Sequence, residues 1–211
     1  MSRGARELAM PLAQRDVGRL IAYVRLIERW NATYNLTAVR AARDMVTQHV
    51  LDCLAAAAAL GRRRGTGDGE RVADVGSGAG LPGLVIAMTF PARQVVCVDA
   101  VGKKTAFITQ AAATLGLKNV TAVHGRVENL QDTFDVIVSR AFAALNEFVA
   151  ATAHLLKDSG SWMAMKGKTP TAELAVLDAK LTFYVEPLVV PGLAAERCLV
   201  WIERSEASAR S

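Results

Sequence analysis

Two acids and a run of glycines are the residues of this chain best spaced for chemistry. The stretch Arg71-Val-Ala-Asp-Val-Gly-Ser-Gly-Ala-Gly-Leu-Pro-Gly83 sets Asp74 just ahead of Gly76, with Gly78, Gly80 and Gly83 following. Glycines at alternate positions let a backbone turn lie directly against a ligand, because no Cβ intervenes. Pro82 suits the first turn of a helix, where its missing N–H costs nothing. A short apolar strand, this loop and the helix behind it make the opening unit of a Rossmann-type sheet. A second acid, Asp99, ends the next strand, Gln94-Val-Val-Cys-Val-Asp99. A carboxylate there accepts hydrogen bonds from ribose hydroxyls.

Two ligands suit such a loop. Gly78, Gly80 and Gly83 fit G-x-G-x-x-G, a pattern of low specificity on its own. A dinucleotide places a pyrophosphate at the helix N-terminus, where Asp74 repels it. S-adenosylmethionine (SAM) has no phosphate and carries an ammonium and a sulfonium, which a carboxylate ahead of the glycines attracts. Asp99 supports a nucleoside in either case, and Asp74 favours SAM. The blander reading, a tight turn and nothing more, leaves the shared register of the glycines, Pro82 and Asp99 unexplained.

The surrounding pattern supplies the elements that position these residues. From Arg71 onward, strand alternates with helix. Strands are expected at 71–75, 94–98, 120–123, 134–138 and 160–166, and helices near 82–90, 103–116, 144–157 and 170–180. Gly116 and Gly160 stand where helices should stop, and Pro170 opens the last one. Phe183 to Val190 and Arg197 to Glu203 read as two more strands, paired as an antiparallel hairpin. The expected fold is α/β and Rossmann-like, with a mostly parallel seven-stranded sheet, an antiparallel edge strand and an N-terminal helical extension. In that extension Asp16 caps a helix running to Trp30, with Val17, Leu20, Ile21, Val24 and Ile27 at helical spacing. Asp44 caps a second helix through Leu60. Gly61-Arg-Arg-Arg-Gly-Thr-Gly-Asp-Gly69 reads as a flexible basic link. The expected division is 1–64 as an arginine-rich extension and 65–211 as the SAM-binding domain, the two forming one compact unit.

The charge is unevenly spread. The chain of 211 residues has a net charge of +5. Residues 1–64 hold 11 arginines against five acids, so the whole basic excess precedes the glycine loop. A one-sided basic field beside a cofactor site points to a polyanionic substrate, most simply nucleic acid; a solvated arginine-rich surface is the alternative. Three widely spaced cysteines, Cys53, Cys97 and Cys198, speak against a disulfide framework and for a reducing cytoplasm. No apolar run approaches the length that spans a bilayer, and the polar start has no signal-like segment. His49 reads as a core or capping residue beside Val46 and Val50. His124 and His154 lack partners at metal spacing, so no metal is expected.

Several segments together resemble one family. They are Trp30-Asn31 with Tyr34-Asn35-Leu36-Thr37 and Arg40, His49-Val-Leu-Asp52, the glycine loop, Gly102-Lys103-Lys104 with Phe107, Arg126-Val-Glu128, Ser139-Arg140-Ala141 and Lys166-Gly167. Taken in order, from about Asp16 to Glu203, the chain resembles the bacterial methyltransferases historically called glucose-inhibited division protein B. These are SAM-dependent guanine-N7 methyltransferases of small-subunit (16S) ribosomal RNA, with the class I SAM-methyltransferase fold. The resemblance implies that Gly76 and Leu81 in the first loop, Asp99 at the ribose and Val127 and Glu128 near the adenine bind SAM. It puts Arg140 where methyl donor and target base meet. It implies 16S ribosomal RNA, or a small ribosomal subunit or its precursor, as partner. Two departures are visible: Ala79 stands where relatives often carry proline, and Cys53 where they often carry serine.

Guanine N7 has an exposed lone pair and no proton, so its methylation needs positioning more than a general base. The sequence agrees. No cysteine follows a proline, and no Asn-Pro-Pro-aromatic run follows the fourth strand; Ser139-Arg140 stands there instead. A guanidinium can bond guanine O6 or a phosphate, so Arg140 is expected to orient the target nucleotide, the cofactor or both. The alternative for Arg140 is a salt bridge to Asp135 or Glu147. Lys166 is expected to bind RNA phosphate, or else to be solvated. Asn35 and Tyr34 close over the base, or form a helix C-cap and a half-buried aromatic. Two other functions stay open on the residues alone: a nicotinamide-dependent oxidoreductase, and a noncatalytic RNA-binding module.

Overall fold

The computed structural model describes residues 1–140, Phe142 and 144–205. Seven strands form one sheet: β1 (Arg71–Val75), β2 (Gln94–Asp99), β3 (Val120–His124), β4 (Phe134–Ser139), β5 (Leu156–Lys166), β6 (Leu181–Leu188) and β7 (Arg197–Arg204). Their order is β3-β2-β1-β4-β5-β7-β6. Strands β1 to β5 pair in parallel, while β7 runs antiparallel to both β5 and β6. The antiparallel edge is thus the hairpin expected from the tail, with reversed β7 inside it and β6 outermost. Chain order reverses between β1 and β4. Open α/β sheets bind ligands at such a switch point, outside the carboxyl ends of the strands.

The helices are α1 (Ser2–Glu7), α2 (Gln14–Tyr34), α3 (Ala42–Met45), α4 (Asp52–Arg64), α5 (Gly83–Thr89), α6 (Gly102–Leu115), α7 (Leu145–Thr152) and α8 (Thr171–Ala175). A π-helical stretch, Val46–Leu51, joins α3 to α4, so the expected helix from Asp44 is one run with a wide turn inside it. Such turns gather at functional sites. Gly116 ends α6 in the left-handed conformation, as its position predicts. Gly160 does not stop a helix. It lies inside β5, because α7 ends at Thr152 and β5 starts at Leu156, with a shift in its register against β4.

The N-terminal helices pack on the sheet domain. Leu20, Tyr23, Val24 and Ile27 of α2 share one buried core with Leu54 and Leu60 of α4, Leu84 of α5 and Phe107 of α6. The Trp30 ring meets Phe107 edge-on at 5.4 Å. The Tyr23 hydroxyl donates to the Ala79 carbonyl in the glycine loop. A buried hydroxyl with a partner avoids a desolvation cost of about 1–3 kcal/mol, so α2 holds the loop from behind.

The link after α4 is a correction to the sequence reading. Arg62, Arg63 and Arg64 are the last turn of α4, and each pairs with an acid at 2.7 Å: Glu186, Glu203 and Glu70 respectively. Fully buried Arg93 bridges Glu70 and the Gly65 carbonyl. These arginines clamp α4 to the sheet, which explains their clustering without an RNA ligand.

Candidate active site

Two cavities open side by side at the carboxyl ends of the strands. The first, of about 310 Å³, lies at the ends of β1 and β2 and is lined by Val75, Gly76, Val98, Asp99, Lys104, Gly125 to Glu128 and Phe142. The second, of about 350 Å³, lies at the ends of β4, β5 and the start of β7. Its lining comes from Gln48, His49, Asp52, Arg140, Met165, Lys166, Gly167 and Arg197. Between them, the Ser139 hydroxyl donates to the Val75 carbonyl at 2.9 Å and ties the ends of β4 and β1 together.

The first cavity has one wall of bare backbone. Gly76 has φ +70, and a Cβ built there meets nothing within 4 Å, so its bare Cα faces open space on the cavity wall. The loop amides are spent inside the protein. Those of Gly76 and Ser77 donate to the Val98 carbonyl, Gly78 to Asp99 Oδ2, Gly80 and Leu81 to the Ser77 carbonyl, and Gly83 to Asp74 Oδ2. A pyrophosphate on a Rossmann loop relies on such amides pointing at it. With these six committed elsewhere the crevice lacks an amide cradle for a pyrophosphate, while Asp99 and Glu128, beside Lys104 and Arg126 on the same wall, offer acceptors to a nucleoside. The group implied by the fold fits. Asp99 and Glu128 offer acceptors to hydroxyls and amines, and Val98, Val127 and Phe142 offer apolar faces.

The expected cofactor residues divide into two sets. Gly76, Asp99, Val127 and Glu128 line this crevice. Asp74, Gly78 and Leu81 do not. The Asp74 carboxylate is fully buried and turned away to accept the Gly83 amide at 2.8 Å. A Cβ on Gly83 would lie 2.7 Å from Asp74 Oδ2, so glycine is required for this close approach. Burial pushes the Asp74 carboxyl up to about 7, against the lowering influence of the Gly83 amide, Arg140 and Ser77. Gly78 acts through its amide on Asp99, and Leu81 is a core residue. Asp99 itself is held from three sides, by the amides of Gly78 and Val101 at 2.9 Å and by Lys104 at 3.5 Å.

The second cavity is built by side chains. Arg140 Nη1 lies 3.2 Å from His49 Nδ1 and 3.9 Å from Asp52 Oδ2. Arginine has no acceptor, so Nδ1 carries the lone pair and the proton sits on Nε2. Nε2 then donates to the Thr37 hydroxyl at 2.7 Å. Burial, with the Arg140 charge adding to it, lowers His49 to about 4, so the ring stays neutral. Asp52 also faces Arg197, at 3.2 Å, and serves both guanidinium groups; burial nonetheless raises its carboxyl above the usual range. Asp135, considered as a partner of Arg140, instead bonds Lys157 at 2.9 Å.

Of the expected substrate residues, Arg140 and Lys166 line this cavity and Asn35 does not. Arg140 lines it alone of the two cavities, so its expected contact with the cofactor has no geometric support. Lys166 pairs with Glu173 at 2.9 Å. Asn35 is the left-handed C-cap of α2 and accepts Arg40 Nη2 at 2.8 Å; the Tyr34 ring lies tilted against Trp30, with centroids 4.9 Å apart. Asn35 takes the C-cap position of the alternative reading, and Tyr34 is exposed. Ala141 of the Ser-Arg-Ala motif lies outside the described residues, as do 206–211 of the expected second domain. The sequence reads His49 as a core or capping residue and assigns no site role to Asp52 or Arg197. The available signal was a histidine and an acid three residues apart on an otherwise apolar helical face.

Comparisons with known proteins show the family. Residues 16–200 match the family model described as GidB, rRNA small subunit methyltransferase G. The chain belongs to that SAM-dependent methyltransferase family. It is 49% identical to the ribosomal RNA small subunit methyltransferase G of Acidovorax ebreus, over 96% of this chain and 93% of the relative. It is 50% identical to that of Methylibium petroleiphilum, over 97% and 93%. Among solved structures, TrmN from Thermus thermophilus superposes with a TM-score of 0.59 at 20% identity, over 72% of this chain and 49% of that one. A SAM-dependent methyltransferase from Aquifex aeolicus gives 0.57 at 16% identity, over 75% and 92%. These two show a shared fold. Among the described residues no group of acids, histidines and cysteines is placed to hold a metal ion, and no helix is long and apolar enough to cross a membrane.

Proposed function

We propose that this protein methylates N7 of a guanine in small-subunit (16S) ribosomal RNA, with SAM as the methyl donor and the cytoplasm as the place of action. The single observation behind the reading is the pairing of the two cavities. A crevice with carboxylates on its wall and its loop amides already bonded adjoins a cavity in which Arg140, Lys166 and Arg197 converge.

SAM supplies an electrophilic methyl group on a sulfonium. Asp99 and Glu128 hold a nucleoside through its hydroxyl and amino hydrogens, and Gly76 lets it approach the backbone. Arg140 presents a guanidinium to the target nucleotide. Its guanidinium can donate to guanine O6, which leaves the N7 lone pair free for the methyl group, or to a phosphate, and Lys166 adds a second positive charge. Neither His49 nor Asp52 is free to take a proton. The His49 lone pair faces Arg140, and Asp52 is committed to two arginines. A site without a poised base suits N7, which carries no proton to remove.

Transfer of labelled methyl from SAM to small-subunit ribosomal RNA by the purified protein tests the reading. Incorporation is the expected result. Thermal stabilisation by NAD and none by SAM would reinstate the oxidoreductase; RNA binding without transfer would leave a noncatalytic module. Stabilisation of about 2.7 kcal/mol is expected at a hundredfold excess of SAM over its Kd.

A further inference from the structure

A third cavity, of about 440 Å³, lies next to the Arg140 cavity and is lined by Gly167, Lys168, Thr169, Pro187, Leu188, Glu196, Arg197 and Cys198. The two share Gly167 and Arg197, so they adjoin at the end of β5 and the start of β7. We propose that this third cavity is a second nucleotide subsite, holding the residue next to the target guanine along a single-stranded segment of the RNA. The proposal rests on the methyltransferase reading and deepens it.

The chemistry of the lining fits one nucleotide. Arg197 stands at the junction, fixed by Asp52 at 3.2 Å and by its own bond to the Glu196 carbonyl at 2.8 Å. A guanidinium held at the boundary between two nucleotide sites is placed to meet the phosphate that joins them. Exposed Lys168 adds a second cation to the lining. Pro187 and Leu188, at the end of β6, give an apolar wall against which the face of a base can lie. The exposed Glu196 carboxylate is unfavourable for bare phosphate, and this decides between ligands. It accepts hydrogen bonds from amino or imino hydrogens on a base edge, so cation, apolar wall and acceptor together suit a whole nucleotide. Sequence-specific RNA recognition uses these contacts on unstacked single strands. The cavity volume falls in the range of small-molecule sites, about 300–1,000 Å³.

The test compares the intact protein with its Lys168→Glu and Glu196→Gln variants. Both positions are exposed, so folding is retained. The probes are guanosine monophosphate and single-stranded oligoribonucleotides of two and three residues carrying a guanine, titrated in the presence of SAM over a range of salt concentrations. The intact protein should bind the longer probes at least tenfold tighter than the mononucleotide. Lys168→Glu should lose that gain and show a salt slope shallower by about 0.7. Glu196→Gln should change the preference for the base beside the guanine. The thermal shift produced by SAM should be the same in all three. Equal affinity of the three proteins for every probe, with methyl transfer to small-subunit RNA intact, overturns the subsite and leaves the methyltransferase reading standing. Absence of transfer in the intact protein overturns that reading and the subsite with it.

Discussion

The two cavities at the strand ends are built on opposite principles. The crevice at β1 and β2 has one wall of bare backbone, where Gly76 has no neighbour at its Cβ position and the loop amides are bonded within the protein, and is closed by 98–100, Lys104, 125–128 and Phe142. The cavity at β4, β5 and β7 is shaped by side chains from four segments far apart in the chain, 48–52, Arg140, 165–167 and Arg197. A loop of fixed shape suits a ligand that never varies. A ring of cations held by shared acids suits a polyanion whose strand must be gripped and released. The difference implies that cofactor binding and substrate handling can be damaged separately.

The largest expected effect is on the substrate side. Arg140→Ala should lower kcat by about 10²-fold, the usual cost of removing one preorganised electrostatic donor, while SAM affinity measured by calorimetry stays within a few fold. Equal loss of both would merge the two sites into one. Next comes the cofactor side. Asp99→Ala removes a charged acceptor and should weaken SAM by roughly 10- to 100-fold. Unchanged SAM affinity would deny Asp99 its role.

Gly83→Ala tests the frame behind both. The new Cβ would stand 2.6 Å from Cys97 Sγ and 2.7 Å from Asp74 Oδ2. Overpacking of this kind costs about 1–3 kcal/mol, and urea denaturation should show it. The two sides should also respond oppositely to pH in the ligand-free protein. Asp74 has a raised carboxyl, near 7, so its contribution to stability is full below the unfolded value of 3.8 and is lost as pH rises through 7. His49 is lowered to about 4, so its contribution is full above the unfolded value of 6.5 and is lost as pH falls through 4. Between pH 4 and 7 the slopes oppose each other. Asp74→Asn should leave stability rising with pH across that window, and His49→Gln should leave it falling. Matching profiles in the two variants would show that neither group titrates as its surroundings imply.

The smallest effect belongs to the arginines that the sequence suggested for RNA. Arg62→Gln breaks an exposed pair with Glu186 and should cost under about 1 kcal/mol, with the salt dependence of RNA binding unaltered. A clear drop in that dependence would return the α4 arginines to the substrate surface.

The contrast between the cavities also explains what the sequence made legible. The places of Gly76 and Asp99 could be read because local spacing puts each at the end of its strand, β1 or β2. Arg140 and Lys166 were readable as strand-end cations, and the β6–β7 hairpin followed from two apolar runs. Asp74 was misplaced because a period-two strand tells which face a side chain takes, not whether a neighbouring amide turns it inward; the Gly83 N–H does so here. His49 and Arg197 stayed hidden because their partners lie 91 and 145 residues away, at Arg140 and Asp52. The arginines after Leu60 misled because charge composition does not reveal which acids a fold brings opposite. Glu70, Glu186 and Glu203 reach them from the sheet.

The most direct measurement of the central claim is the position of the transferred methyl group. Small-subunit ribosomal RNA incubated with the protein and isotopically labelled SAM would be digested to nucleosides and analysed by mass spectrometry. The account predicts labelled 7-methylguanosine, and its near-complete loss with Arg140→Ala. Label on an exocyclic amine or a pyrimidine carbon, or none at all with SAM shown to be bound, would contradict it.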